Sequence, residues 1–474
     1  MIIAFFIVSI FLALVAYLIK NREVSIGVSL VHALLVTGLT MAEYTRLDVV
    51  QNEYFRVDHL GIIFLTLLSV LGFISTLQYR LYQKHRKESP YTVRVRNGIY
   101  ILFITALVGI NISNHFGLLW AFIEATTLSG AFLIMHDRDK RAIEGVWKYV
   151  FVASISVALA FTGILFLSLA VRDANAINFS FDAVGNMAPT MDPVWLKACF
   201  LFILVGFSVK MGLVPMFNVD IDAKDVAPSP ISAMFSSVML NAGFLAIFRF
   251  YAAFSGTSIL PWMQNVLIIT GVLSILFSTA YLLKVKNYKR LLAYSSMEHA
   301  GLIILALAMG KAGYFAALLH IIFHSLVKPT LFYQVGQVHR VYNSKLEHQV
   351  GGYFFVNPTG GAILLLAVLS VIGLPTSGLF ISELLIFKSL FASQHIWLAV
   401  LVMLLLIYIF YTMLRSIFKL LFIKSEEPHE FDADAVHPSH SFSQFLLLGS
   451  TVYLGLVQPK FFIEFINQAV NLLP

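Results

Sequence analysis

The sequence predicts an all-α polytopic membrane protein of about fourteen transmembrane helices, two of them broken, arranged in two related halves. Three observations lead there. The chain of 474 residues is 59% hydrophobic and 12% charged, with a mean hydropathy of +0.84, whereas a soluble domain is about a quarter charged. Its apolar runs recur at lengths that cross the roughly 30 Å hydrocarbon core of a bilayer. Two of these runs are interrupted by glycine and proline, at Gly212 and Pro215 and again at Gly373 and Pro375. Broken backbone is tolerated at membrane depth only where protein buries it or a wet cavity lines it, and two such breaks in corresponding halves point to an ion pathway built from inverted repeats.

Taken in order, the runs cover residues 1–19, 25–41, 60–78, 98–114, 116–135, 148–171, 195–215, 231–254, 264–283, 291–309, 313–337, 360–391, 396–423 and 441–459. They group into an N-terminal three-helix segment at 1–97, a first repeat at 98–254, a second at 264–423, and an inner loop with a C-terminal helix at 424–474. The first run lacks a basic leader and a small-residue cleavage site, so it is expected to be a retained span. Lysine and arginine gather in alternate connections, among them Arg80, Arg86, Lys87, Arg94 and Arg96, then Arg138, Lys140 and Arg141, then Lys284, Lys286, Lys289 and Arg290. The opposite connections hold few, such as Arg46, Arg56, Arg172 and Lys311. By the positive-inside rule the rich set is cytoplasmic and both termini lie outside, in what is expected to be a bacterial or archaeal inner membrane. The net charge of +7 is thus topology, and no nucleic-acid partner is expected. A single cysteine, Cys199, excludes an internal disulfide and a cysteine-built iron–sulfur site. The acids and histidines of the loop Ser425–His440 lack ligand spacing and read as a solvated docking loop.

Charges inside the spans are the functional signal, because a cation at the bilayer centre costs about 2.5–3.5 kcal/mol. Lys210 lies deep in the seventh run just before its break, and Glu124 near the middle of the fifth. In the eleventh run His320, His324 and Lys328 recur at i, i+4 and i+8, within about 80° of arc and about 12 Å of helix. Imidazole titrates near neutrality, so this ladder reads as a proton relay. Two histidines at i, i+4 can also hold a metal, but with no carboxylate at ligand spacing no metal site is expected. Glu383 closes the series beyond the second break. Lys148, four residues after Glu144, reads either as an interfacial lysine with a helical partner or as a pathway group. Lys388 is a partner for Glu383 or an interfacial anchor, and Glu298 with His299 an inlet or a cap at the inner surface.

The motifs WAFIEATTLSGAFLI, KMGLVPM, APSPISAMFSSVMLNAGFLAIFRF, YSSMEHAGLIILALAMG, LLHIIFHSLVKPTLFYQVG and GLPTSGLFISELLIF resemble those of the antiporter-like membrane subunits shared by respiratory complex I, the Mrp cation/proton antiporters and the group 4 membrane-bound hydrogenases. Within that family the combination of IEATTL, LNAGFLAIFRF and a glutamate after the second break looks most like the F-type component of hydrogenase-4. The resemblance implies two inverted five-helix repeats, each with a broken helix. It further implies Glu124 and Lys210 as the coupled pair of the first, His320, His324 and Lys328 as the central relay, and Glu383 as the terminal carboxylate. The chain departs from the family twice. The pattern His-x-Trp-x-Pro-Asp-Ala-His after the first break is here Phe217 to Lys224, keeping only Asp222 and Ala223, and Asn241 stands where the related M-type subunit has a lysine.

The expected function is therefore proton translocation within a redox-driven complex of the hydrogenase-4 or NADH–quinone oxidoreductase type. The chain carries no catalytic residue and no cofactor of its own, since no flavin, nicotinamide, haem or iron–sulfur motif is found; electron transfer falls to other membrane and peripheral subunits. The alternatives are a Mrp-like subunit exchanging protons for sodium or another monovalent cation, and a membrane partner of an inorganic-carbon uptake complex.

Overall fold

A bilayer offers the backbone no hydrogen-bond partner but its own, so apolar runs of this length must form helices. The computed structural model describes residues 1–50, 53–84, 90–135, 140–170, 178–425 and 436–473. Among these the regular structure is helical, with isolated bridges at Phe55–Ser113, His115–Ser180 and Asn287–Leu346. The N-terminal segment contains α1 (Ile2–Leu18), α2 (Arg22–Tyr44) and α3 (His59–Lys84). The first half follows as α4 (Pro90–Ile112), α5 (Phe116–Ile134), α6 (Lys140–Ala170), the short α7 (Phe181–Met187), α8 (Pro193–Met211), α9 (Phe217–Val226), α10 (Ser229–Met234) and α11 (Leu240–Phe254). The second half has α12 (Leu260–Leu282), α13 (Tyr288–Ala308), α14 (Lys311–Tyr342), α15 (Tyr353–Val356), α16 (Pro358–Val371), α17 (Gly378–Ala392) and α18 (Ile396–Phe422). Two helices, α19 (Phe442–Leu456) and α20 (Lys460–Val470), end the chain. The Lys and Arg positions 86, 87, 138 and 172 and residues 426–435 of the inner loop lie outside the described residues.

Eleven of these helices are long and apolar enough to cross a membrane, or twelve if α19 and α20, bent by 81°, are one span with the turn before them. The expected count of fourteen is higher because the runs at 1–19, 360–391 and 441–459 form shorter pieces. These are α1 with 17 residues, α16 and α17 with 14 and 15, and α19 with 15. Burial sorts the spans. The most apolar windows of Ser229–Phe254, Tyr288–Ala308 and Lys311–Tyr342 are 100, 100 and 94% buried, against 22% for Ile396–Phe422. The polar ladder of α14 therefore sits on an inner helix, not on the lipid face.

Both interruptions are real breaks with the same local design. α8 stops where Gly212 adopts φ +75° and the Gly212 and Leu213 amides bond back to the Ser208 carbonyl. α16 ends similarly before Gly373 at φ +72°, with the Leu374 amide on the Leu369 carbonyl. Glycine is demanded twice over, by the left-handed backbone and by space: a β-carbon on Gly212 would strike the Asp220 carboxylate, and one on Gly373 the Glu383 carboxylate. A π-helical turn, Phe235–Met239, joins α10 to α11, whose first two residues are Leu240 and Asn241. Such turns are common at functional sites.

One buried ion pair ties the N-terminal segment to the first half. Asp58 and Arg249 are 2 and 8% exposed. Arg249 grips the Asp58 carboxylate through both terminal nitrogens, the Nη2–Oδ1 bond measuring 2.7 Å, while the Gly61 amide donates to Oδ1 at 2.8 Å. Burial opposes the charged carboxylate, but the guanidinium, its hydrogen bonds and that amide outweigh it and hold Asp58 below the usual carboxylate range. Removing one partner of such a pair strands a buried charge. Asp58→Asn is therefore expected to destabilise the purified protein by about 3 kcal/mol, read as a lowered thermal midpoint in detergent. Because the folded-state pKa lies below the unfolded one, the pair's contribution is complete above about pH 4 and is lost as the pH falls through the folded value.

Candidate functional site

The first-half charges converge from three helices. Lys210, 2% exposed in the last turn of α8, points its Nζ to the Tyr149 hydroxyl at 3.3 Å and lies 5.6 Å from the centre of that ring. The carboxylates whose charges act on it are Glu124 and Asp220. Glu124, partly buried on α5, accepts a 3.5 Å hydrogen bond from Ser154 on α6. Asp220 forms a buried ion pair with Lys224 one turn along α9. α9 is held from the start of α13 and the segment after α14: Arg290 bonds Asp222 at 2.8 Å, and Lys345 reaches Asp225 at 2.6 Å and the backbone carbonyl of the same residue at 2.7 Å. Asn287 adds a 3.0 Å bond to the Asp225 carboxylate.

The second-half groups lie on α13, α14 and α17. His320, His324 and Lys328 are all fully buried. His299 Nδ1 and His320 Nε2 are 3.0 Å apart, and His320 Nδ1 is 2.9 Å from Ser382 Oγ. Glu298 sits 3.7 Å from the other side of the His299 ring. Glu383 brings a carboxylate oxygen within 4.8 Å of nitrogens of both His299 and His320. Lys328 donates to the Leu292 carbonyl at 3.2 Å and feels the charge of Glu298. His324 packs its ring 5.2 Å from that of His299, and neither of its nitrogens has a hydrogen-bond partner among the described residues. A cavity of about 20 Å³, lined by Ser295, Glu298 and Glu383 among others, adjoins the cluster. That volume admits a single water.

Lys224 spans the gap between the halves. Its charge acts on both His324 and Lys328. Asn241 also crosses, accepting from Ser325 of α14 at 2.9 Å, but an amide cannot carry a transferable charge in this pH range. Thus Lys210, His320, His324, Lys328, Glu298 and His299 are buried, and Glu124 and Glu383 are half-buried beside the first and second clusters. Lys148 does not join them: it is exposed on α6 and pairs with Glu144 at 2.5 Å. Lys388 is exposed on α17.

Asp220, Lys224 and Tyr149 were not singled out in the sequence. The first two carry one legible signal, opposite charges at i, i+4, but the stretch around them is polar enough to read as a connection. Only the fold reveals that it is buried. Tyr149 has no signal beyond being one aromatic among 19 tyrosines.

Comparison with known proteins agrees with this geometry. Residues 113–408 match the family described as NADH:quinone oxidoreductase/Mrp antiporter, TM. The Hydrogenase-4 component F homolog of Methylacidiphilum infernorum (isolate V4) is 33% identical over 72% of this chain and 73% of its own length. Two solved structures share the fold over nearly the whole chain. A chain of the membrane-bound sulfane sulfur reductase, an archaeal respiratory membrane complex, superposes with a TM-score of 0.86 at 21% identity, covering 99% of this chain and 96% of that one. A chain of the Mrp complex from Dietzia sp. DQ12-45-1b does so with 0.82 at 17% identity and the same coverage. The broken helices and the buried charges thus sit in a chain that belongs to the NADH:quinone oxidoreductase/Mrp antiporter family, as an antiporter-like membrane subunit related to those of hydrogenase-4.

Proposed function

We propose that this chain conducts protons across the membrane as one subunit of a redox-driven complex of the hydrogenase-4 or NADH–quinone oxidoreductase type. Fourteen spans with both termini outside a bacterial or archaeal inner membrane form two inverted five-helix repeats around one polar axis. The observation that carries the reading is the alternation of carboxylate, amine and imidazole, buried except for its half-buried ends and ordered Glu124, Lys210, Asp220 with Lys224, His324 with Lys328, then His299 and His320, and finally Glu383. A buried imidazole with two unsatisfied nitrogens, as in His324, is costly unless water visits it. Protons then pass between side chains through transient waters.

The energetics are of the right order. Moving one charge through the field is worth about 2.3 kcal/mol per 100 mV, and one unit of pKa about 1.4 kcal/mol. Bringing Glu124 toward Lys210, or drawing it away, therefore shifts proton affinity by amounts comparable with a membrane potential. Asp220 and Lys224 serve as the switch between halves. When Lys224 engages Asp220 its charge is neutralised, and when released it repels a proton from Lys328. The motion that biases this switch comes from electron-transfer partners, and the loops holding α9 are where such a push is received.

A second reading, a Mrp-like subunit exchanging protons for a monovalent cation, is favoured by the family match and by the fold shared with the Mrp complex. Sodium-dependent proton movement by the reconstituted complex would select it.

In vesicles carrying the assembled complex, Lys210→Ala or Glu383→Ala is expected to abolish proton movement while leaving assembly intact; normal pumping by both variants refutes the proposal. Asp220→Asn combined with Lys224→Met removes both charges of the switch without stranding either, and is expected to slow proton movement by at least about tenfold, the effect of displacing a relay pKa by one unit. Unchanged flux in that double variant would place the crossing elsewhere. Lys148→Ala, which alters only an exposed pair, is expected to leave flux close to that of the parent chain in the same assay.

A further inference from the structure

The His299–His320 contact can turn two imidazole lone pairs toward one occupant, with a carboxylate beside them. Ser382 Oγ donates its single hydrogen to the Leu379 carbonyl at 2.9 Å. It must then accept from His320 Nδ1 at 2.9 Å, and this leaves the lone pair of neutral His320 on Nε2. That lone pair faces His299 Nδ1 at 3.0 Å. On its far side, His299 Nε2 has no hydrogen-bond partner among the described residues but lies 3.7 Å from the Glu298 carboxylate. With its proton on Nδ1, neutral His299 donates to His320 Nε2; with its proton on Nε2, both facing nitrogens bear lone pairs and can take up one cation between them. A relay proton is one such cation. A divalent metal is the other.

The surroundings meet the requirements of a metal of the zinc class. Glu383 supplies a third donor, with the three donor atoms within 4.8 Å of one another. Tetrahedral bonds of 2.0–2.1 Å place donors about 3.3 Å apart, close to the separation of the two histidine nitrogens and reachable for the carboxylate by side-chain rotation. The adjoining cavity of about 20 Å³, lined by Ser295, Glu298 and Glu383, has room for a water as fourth ligand. Glu383 is partly exposed, which gives an approach. His320 also has the outer partner that metal-bound histidines use to set tautomer and orientation, Ser382 at 2.9 Å, and Glu298 lies 3.7 Å from the outer nitrogen of His299. Imidazole with a carboxylate selects zinc or cobalt over magnesium. Lys328 opposes a cation here, while Glu298, which acts on Lys328 and lies 3.7 Å from His299, offsets it.

We propose that His299, His320 and Glu383 form a transition-metal site in which a zinc-class ion takes the place of the relay proton and blocks conduction. The ion-binding half stands on the cluster alone; the blocking half rests on the proton pathway proposed above. The test is titration of the purified full-length chain in mild detergent with cobalt(II), followed by visible absorption. One equivalent is expected to bind with the spectrum of a four- or five-coordinate site, to be displaced by zinc and not by magnesium. His299→Gln and Glu383→Gln are expected to weaken it by more than about tenfold, beyond the least that loss of an outer-sphere partner costs. His437→Gln, an exposed residue, should leave it unchanged. A six-coordinate spectrum, or binding indifferent to Glu383→Gln, identifies adventitious surface histidines and overturns the site while leaving the Lys210 test of conduction untouched. The stoichiometry and spectrum of the parent chain decide this even where a variant fails to assemble. Zinc that binds in this way but leaves proton movement in vesicles unaltered overturns the block.

Discussion

An ionised side chain held inside the bilayer has no solvent but the protein itself, and this constraint organises the molecule. Lys210, Lys224 and Lys328 would each be prohibitively placed on a lipid-facing stripe. They are instead met by Glu124 and Asp220, by Asp220, and by Glu298 respectively. The meeting requires helices from both halves to turn polar faces toward one axis, so α10 to α11, α13 and α14 become the inner helices and α18 is left to the lipid. Packing here follows from charge compensation, since lipid tails are as apolar as leucine and give helices little hydrophobic reason to associate.

The two breaks are how carboxylates reach that axis. At each, a helix stops at a glycine in a left-handed conformation, and a carboxylate from the following segment occupies the volume where a β-carbon would stand: Asp220 against Gly212, Glu383 against Gly373. Freed backbone and an acidic group are thus brought together twice, with the same local geometry. Beyond the first break, α9 lies as a short segment whose inner face carries the Asp220–Lys224 pair and whose outer residues are tied to Arg290 and Lys345. The same ten residues therefore hold both the buried pair and the carboxylates bonded to Arg290 and Lys345.

Two groups of the first half meet α14: Asn241 accepts from Ser325, and the charge of Lys224 acts on His324 and Lys328. The π turn at Phe235–Met239 lies immediately ahead of Asn241.

Much of this was legible in the chain itself. Hydropathy and length settle that it is a helical membrane protein, because backbone groups in hydrocarbon have only one way to be satisfied within a single segment. The glycine and proline positions locate the breaks, and the spacing of His320, His324 and Lys328 locates a polar stripe. The span count was not settled, since α1, α16, α17 and α19 are each shorter than a full crossing and run length alone cannot say how such pieces join. Partnership was not legible at all. His320 looked paired with His324 along one helix, yet its contacts are His299 from α13 and Ser382 from α17, with Glu383 close by; Lys148 and Lys388 looked eligible and face outward; Asp220 and Lys224 looked like a polar connection and are buried. Periodicity records which groups share a face of one helix, a local property of the chain. Which faces meet is decided by packing among segments far apart in sequence, and it is there that each buried charge finds its counterpart.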